Sequence, residues 1–380
     1  MMANPVEKLR EIDWGFVNEE TRSLTHGIHR YSSKFPPQIA RHLIANLTIE
    51  GELVLDNFVG SGTTLLEANL LRRRSVGVDL NPVACEISAA KVQPIDSVAL
   101  KAEVEKLIGA ASRNVAHPKG QITLTGEGST KGELARIDQS IRRWFFESDL
   151  KDLLAIYEAI SLVDNPAVKR LAIVSLSEIL RRSSKAHSGY PNLMIDKKAK
   201  PRGTSLKQFE HQLRLNRDRV TELNAKFRSG YKPEVVRGDA RNLCFEDEEF
   251  HLLISHPPYI GAVPYAEFLR LSLSWLGFDP KEMDMQFVGG NRHGKDVVQR
   301  FLEDMKLTFA EMFRVLRPAR YCCVIIGNPV VRGEMVQLNR EFVTIGEDVG
   351  LRYVDEIPRQ RINMRKGVLK DEYVMIFRKP

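Results

Sequence analysis

Two short stretches of the sequence gather groups able to do chemistry. In one, the apolar run Phe250–Ser255 (FHLLIS) leads into HPPYIGAVPY, which begins at His256. Pro257 and Pro258 make a rigid turn without backbone donors, so the carbonyls there are left to accept hydrogen bonds. His256, with Ser255 before it, adds a side-chain acceptor, and Tyr259 adds an aromatic face. An amine conjugated to a flat ring is a poor nucleophile. Acceptors aimed at its N–H hydrogens, from the side chain at 256 and the Pro257 carbonyl, would localise its lone pair, while the ring stacked on Tyr259. The second stretch is LDNFVGSGTT, Leu55–Thr64. Here a strand delivers Asp56 to a turn in which Gly60 and Gly62 let the backbone bend tightly and approach a ligand. The helix that follows offers free N–H groups. Asp79, 17 residues beyond Gly62, ends the next strand, where a carboxylate can hold two ribose hydroxyls. The pattern is not GxGxxG, and Phe58 is unusual for a nicotinamide site. Neither stretch needs a metal or a covalent nucleophile. The four cysteines lack CxxC spacing, and His26, His29 and His187 are scattered, so no metal site is expected.

These residues must be placed by an α/β framework. Glu52–Asn57 reads as a buried strand, Thr63 to about Arg73 as a helix, and SVGVDL as a second strand ending at Asp79. A helix then starts at Pro82, a residue suited to the first turn. Strand signals vanish until Glu234–Gly238 and Phe250–Ser255, then return at Tyr321–Gly327, around Arg352–Ile357 and at Tyr373–Arg378. Residues 1–93 and 233–380 are thus expected to form two parts of one sheet domain, bracketing a helical insertion at 94–232. Inside it, Ile141–Leu162 and Ala167–Arg182 read as helices. Leu206, Phe209, Leu213, Val220, Leu223 and Phe227 mark a third, with Asn216 where an apolar residue is due. Ser183–Thr204, rich in Ser, Lys, Gly and Pro, reads as a mobile loop.

The charge is uneven. Arg181 to Lys232 holds 14 Lys/Arg against 4 Asp/Glu, whereas the whole chain is +7. Such a concentration is what a phosphate backbone attracts. Hydrophobic residues are 43% and charged residues 28%, a soluble balance. There is no bilayer-length apolar run and no secretion-type N-terminus, so a cytoplasmic, prokaryotic-type setting without a membrane partner is expected.

DNFVGSGTT resembles motif I of the amino-group DNA methyltransferases, and GVDLNP resembles the motif II segment. HRYSSKFPPQIARHLI (His29–Ile44) resembles their motif X, and VVRGDARNL their motif III. HPPY resembles their motif IV, usually Asp, Asn or Ser followed by Pro-Pro-Tyr; His256 departs from it. YIGAVPYAEFLRLSLSWLG and the tail (VIIGNPVVRGEM, RQRINMRKG, DEYVMIFRK) resemble restriction-associated enzymes of the cytosine-N4 kind. The resemblance implies a Rossmann-like fold and S-adenosylmethionine as cofactor. It implies Lys34 and Phe35 over the methionine end, with Asp56 on the methionine amino group. Phe58, Gly60, Ser61, Gly62 and Thr63 would line the cofactor, Asp79 would take the ribose and Asp239 the adenine amino group. The catalytic set would be Ser255, His256, Pro257, Pro258 and Tyr259, acting on a base flipped from duplex DNA. A cognate restriction endonuclease would accompany it.

Two places are expected to meet DNA. One is the insertion, through Lys197, Lys198, Lys200 and Arg202. The other is the Gly-rich loop Val288–Lys295, through Arg292, His293 and Lys295. The leading reading is a cytosine-N4 DNA methyltransferase, since the missing Asp removes the feature most favouring adenine. The alternatives are adenine-N6 methylation of DNA, guanosine-N2 methylation of RNA, and a non-catalytic DNA-binding regulator.

Overall fold

A computed structural model describes residues 5–16, 19–117, 139–187, 193–226, 230–260, 265–290, 294, 296–359 and 369–380. The apolar runs pair into one sheet of eight strands: β1 (Leu53–Asp56), β2 (Arg74–Asp79), β3 (Glu234–Arg237), β4 (Phe250–Ser255), β5 (Leu316–Val331), β6 (Glu334–Met335), β7 (Arg352–Arg359) and β8 (Leu369–Arg378). Their order is β3-β2-β1-β4-β5-β8-β7, with β6 paired to β5. The first five are mutually parallel, whereas β8 runs antiparallel to both β5 and β7. This is a doubly wound, Rossmann-like topology, with one reversed strand slipped in near the edge.

Side-chain alternation sorts the core into two layers. Val54, Leu252, Ile254, Cys323, Ile325, Val374 and Ile376 face the helix Pro37–Leu47. Their neighbours Leu53, Leu55, Leu253, Cys322, Val324 and Met375 face the helices Val297–Val315 and Leu338–Asp348. With both faces covered, the central strands are apolar throughout, as parallel strands generally are. The helix after the Gly-rich turn runs Thr63–Leu70, shorter than expected, because Arg72 adopts a positive φ of 60° that ends it. The helix Pro82–Val92 starts as expected, its first turn capped by the Asn81 side chain, which accepts from the Val83 N–H at 3.0 Å.

The insertion builds a hydrophobic cluster from the helices Ser97–Ala116, Glu147–Ser161, Pro166–Leu180 and Ser205–Lys226, with Leu271 and Trp275 joining it. The expected single helix over 141–162 is broken. Gln139–Arg142 and Glu147–Ser161 are separated by a bend that buries Trp144 and Phe145, and the Phe145 ring meets Trp275 edge-on at 6.1 Å. Asn216 fills its apolar slot as a buried polar link: it donates to Ser175 Oγ at 2.9 Å and accepts from Gln212 at 3.1 Å. Phe227 lies outside the described residues. The described parts of Ser183–Thr204 are tied down rather than loose: Lys185 N–H donates to the Trp144 carbonyl at 2.6 Å, and Ala186 bridges Ile195. Among the described residues no helix is long and apolar enough to cross a membrane.

Candidate active site

The parallel strands β1, β2, β3 and β4 all end on one edge of the sheet, where open α/β sheets bind ligands. Just beyond those ends lies an open cleft lined by residues that follow all four strands. Lys34 and Phe35 form part of its wall, with Phe58, Gly60, Ser61 and Thr63 from the turn after β1. Asp79 contributes from the end of β2, Asp239 from beyond β3, and His256 and Pro258 from beyond β4. Segments more than two hundred residues apart in sequence therefore share one cavity.

The Gly-rich turn is held by the carboxylate it leads to. Gly60 N–H donates to Asp79 Oδ2 at 2.9 Å, and Asn81 N–H donates to Oδ1 at 2.9 Å. Gly60 has a φ of 48°, and a β-carbon there would sit 3.2 Å from the Tyr31 ring across the cavity. Burial pushes the Asp79 carboxyl up to about 6 despite the backbone donors from Asn81, Gly60 and Leu80. Asp239 is half-buried. Burial would raise its carboxyl, but the hydrogen bonds and charge of Arg241, at 2.7 Å, outweigh this and hold it below its usual value. Arg241 is itself fixed by Asp304 at 2.7 Å and the Gln286 carbonyl at 2.9 Å.

The Lys34 end of the cleft is positive. Lys34 Nζ donates to the His26 carbonyl at 2.9 Å, and burial with Arg22 and Arg219 nearby lowers its ammonium to about 8. Behind Ser61 sits Lys91, fully buried, its Nζ 3.2 Å from Ser61 Oγ; burial and Lys34 push it well below the usual lysine range. Glu67 lies in the same pocket of charge. It accepts from His26 and Arg41 at 2.8 Å each, while burial holds His26 down at about 4.

The structure turns three expected residues away from the cleft. Asp56 does not line it: Thr64 Oγ1 donates to Oδ2 at 2.5 Å and Phe58 N–H to Oδ1 at 3.1 Å, so its carboxylate braces the turn from behind. Burial raises that carboxyl to about 7. Gly62 also lies behind the wall. It starts the helix Thr63–Leu70 with a φ of 76°, and a β-carbon there would sit 2.8 Å from Ser88 Cβ on the neighbouring helix. Its need for glycine is a packing need. Tyr259 is only 5% exposed rather than an open stacking face, because its hydroxyl donates to Glu372 Oε1 at 2.6 Å and meets His256 Nε2 at 2.9 Å. Pro257 is buried beside it, and Ser255 is buried with no partner for Oγ among the described residues. His256 does line the cleft, its ring edge-on to Phe35 at 5.4 Å.

Asn57 is a residue that sequence reasoning missed. It is completely buried and lines the cleft, yet neither Oδ1 nor Nδ2 has a partner among the described residues. Buried polar atoms are rarely left so, and an orphan in a cleft wall points to a ligand that completes it. Glu372 and Lys91 were missed as well. Their only sequence signal is a charge inside an apolar strand (EYVMIF) and an apolar helix face (PVACEISAAKV).

Lys197, Lys198, Lys200 and Arg202 are all exposed, on a turn held by buried Asp149. Asp149 accepts from Arg202 N–H at 3.4 Å and Gly203 N–H at 3.1 Å. Much other positive charge of the insertion is consumed internally: Arg214 and Arg217 pair with Glu105 at 2.8 and 2.9 Å. Arg292, His293 and Lys295 lie outside the described residues.

A family profile described as DNA methylase, covering the N6 and N4 enzymes, matches residues 5–90, which include the motif X, I and II segments. Over 313 residues the chain is 28% identical to the Type II methyltransferase M.MvaI of Kocuria varians, spanning 76% of this chain and 67% of that protein. Residues 5–90 are thus similar to the DNA methylases, and most of the chain is similar to a Type II methyltransferase. A second relative, the Type II methyltransferase M.BsoBI of Geobacillus stearothermophilus, is 22% identical over 276 residues, 68% of this chain and 54% of its own length. Among solved structures, a methyltransferase from Methanosarcina mazei described as S-adenosylmethionine-dependent covers 89% of this chain and 96% of its own, at 12% identity and a TM-score of 0.37.

The cleft fits S-adenosylmethionine, the cofactor that the sequence resemblance implies. Asn57 supplies orphaned donors and acceptors, Asp79 an acceptor for a ribose diol, and the Lys34 end a seat for an anionic carboxylate.

Proposed function

We propose that this protein methylates an exocyclic amino group of a base flipped out of duplex DNA, with cytosine N4 as the target atom. The observation that carries the proposal is the shared cavity: His256 and Pro258 of the Pro-Pro-Tyr segment line the same cleft as Lys34, Asn57, Asp79 and Asp239. Cytosine is preferred over adenine because histidine replaces the acid of the motif and because the flanking sequence resembles cytosine-N4 enzymes.

In this reading Asp79 holds the ribose, Asp239 the adenine amino group, and Lys34 with Ser61 the methionine end. S-adenosylmethionine supplies an electrophilic methyl group on a sulfonium. His256 accepts a hydrogen bond from the target amine and so localises its lone pair, while Phe35 packs against the imidazole and fixes its edge. The exposed cations at 197–202 engage phosphates, with Arg292, His293 and Lys295 proposed to help. The relatives are named as Type II methyltransferases, which supports a place beside a cognate restriction endonuclease.

Incubating duplex DNA with the protein and methyl-labelled cofactor tests this. Label should enter the DNA with wild type and fall by roughly tenfold or more with His256→Ala, the scale of a lost hydrogen-bonding group in catalysis. Unlabelled DNA with wild type would contradict the proposal.

A further inference from the structure

A buried hydrogen-bond chain runs from the C-terminal strands to the cleft. Arg359 on β7 donates from Nη1 to Glu372 Oε2, and Tyr259 donates from its hydroxyl to Glu372 Oε1 at 2.6 Å. The Tyr259 oxygen lies 2.9 Å from His256 Nε2. Arg359, Glu372 and Tyr259 are each at most 9% exposed, so water is kept from the two bonds to Glu372. His256 lines the cleft at the chain's outer end.

The direction of each bond follows from the inner end outward. A guanidinium has donors only, and the carboxylate facing it has acceptors only. The Tyr259 hydroxyl has a single hydrogen, and Glu372 takes it. The phenol oxygen can then only accept from the imidazole, so Nε2 carries the ring hydrogen. In a neutral imidazole that leaves the lone pair on Nδ1.

We propose that Glu372, acting through Tyr259, is a positioning residue that fixes His256 in the Nε2–H tautomer, so that Nδ1 is the atom presented to the target amine. This deepens the proposed function and rests on it for the identity of the amine. It also gives Tyr259 a different task from an open stacking platform, and it explains how histidine can stand where the family carries Asp, Asn or Ser. A histidine with no fixed tautomer would present a donor to the amine part of the time, and a donor opposes lone-pair localisation. Arg359 has the complementary task of holding Glu372 as an acceptor for the tyrosine.

Nitrogen-15 NMR of histidine-labelled protein tests the inference directly, with the His256 signals assigned by their loss in His256→Gln. The expected wild-type pattern is a pyrrole-type Nε2 and a pyridine-type Nδ1. Tyr259→Phe keeps the Arg359–Glu372 pair intact and should convert the signals to a tautomer mixture. Glu372→Gln should do the same, and if that variant does not fold, Tyr259→Phe alone carries the test. Single-turnover methyl transfer should fall on the order of tenfold in Tyr259→Phe. A protonated Nδ1 in wild type, or an unchanged tautomer in Tyr259→Phe, would overturn the inference whatever the activity. If the tautomer is as expected but wild type methylates no DNA, the positioning chain stands and the proposed function falls.

Discussion

Asn57→Ala separates a ligand-binding role from a structural one, because its two roles predict opposite outcomes. Without ligand, the side chain is fully buried and both polar atoms lack partners among the described residues. An orphaned buried polar group costs about 1–3 kcal/mol, so its removal relieves strain that the small cavity left behind partly restores. The ligand-free stability should therefore change by no more than about 1 kcal/mol, which is a shift of only a few degrees at most in Tm for a chain this long. Cofactor affinity should fall, because the amide completes its hydrogen bonds only with a charged ligand present. Such bonds contribute about 1.5–3 kcal/mol, so Kd should rise roughly 10- to 150-fold. Calorimetric melting without ligand and titration with S-adenosylmethionine read the two quantities on the same preparation. A Tm lowered by many degrees together with an unchanged Kd would refute the reasoning and make Asn57 a structural residue.

Further expectations follow from particular interactions. Burial holds the free Asp79 carboxyl at about 6, above its ordinary value of 3.8, and ribose hydroxyls donating to it would favour the ionised form. Binding is therefore favoured above pH 6 and weakens as pH falls through it. Titrations between pH 8 and 5 should show this in wild type and not in Asp79→Asn, and a flat wild-type profile would contradict the assignment. Gly62→Val should cost about 2 kcal/mol or more of folding stability, since its β-carbon meets Ser88 at a positive φ; an unchanged denaturant midpoint would sink that account. Replacing Lys197, Lys198, Lys200 and Arg202 by Gln should flatten the salt dependence of DNA binding by about 0.9 for each phosphate no longer neutralised, and an unchanged slope would move the DNA surface elsewhere.

The framework was legible because its signals are local. Apolar runs ending in Asp56, Asp79 and Ser255 mark parallel strands, and residues at or just past those strand ends share the cleft. The direction in which a side chain points is not local. Asp56 and Gly62 sit in the most telling motif of the sequence, yet one braces Thr64 and the other packs on Ser88. Tyr259 reads as an exposed aromatic until Glu372, 113 residues away, is seen to take its hydroxyl. The bend after Arg142 was hidden for a similar reason: burying Trp144 and Phe145 against Trp275 overrides a helical pattern that the segment otherwise satisfies.

The central claim concerns which atom receives a methyl group, and nucleoside mass analysis reads that atom. Duplex DNA treated with the protein and trideuteromethyl-labelled S-adenosylmethionine, digested to nucleosides and separated, should yield labelled N4-methyldeoxycytidine. Labelled N6-methyldeoxyadenosine would keep the fold, the cofactor and the role of His256 but overturn the cytosine assignment. Label in RNA alone, or in no nucleoside from any DNA offered, would contradict the account.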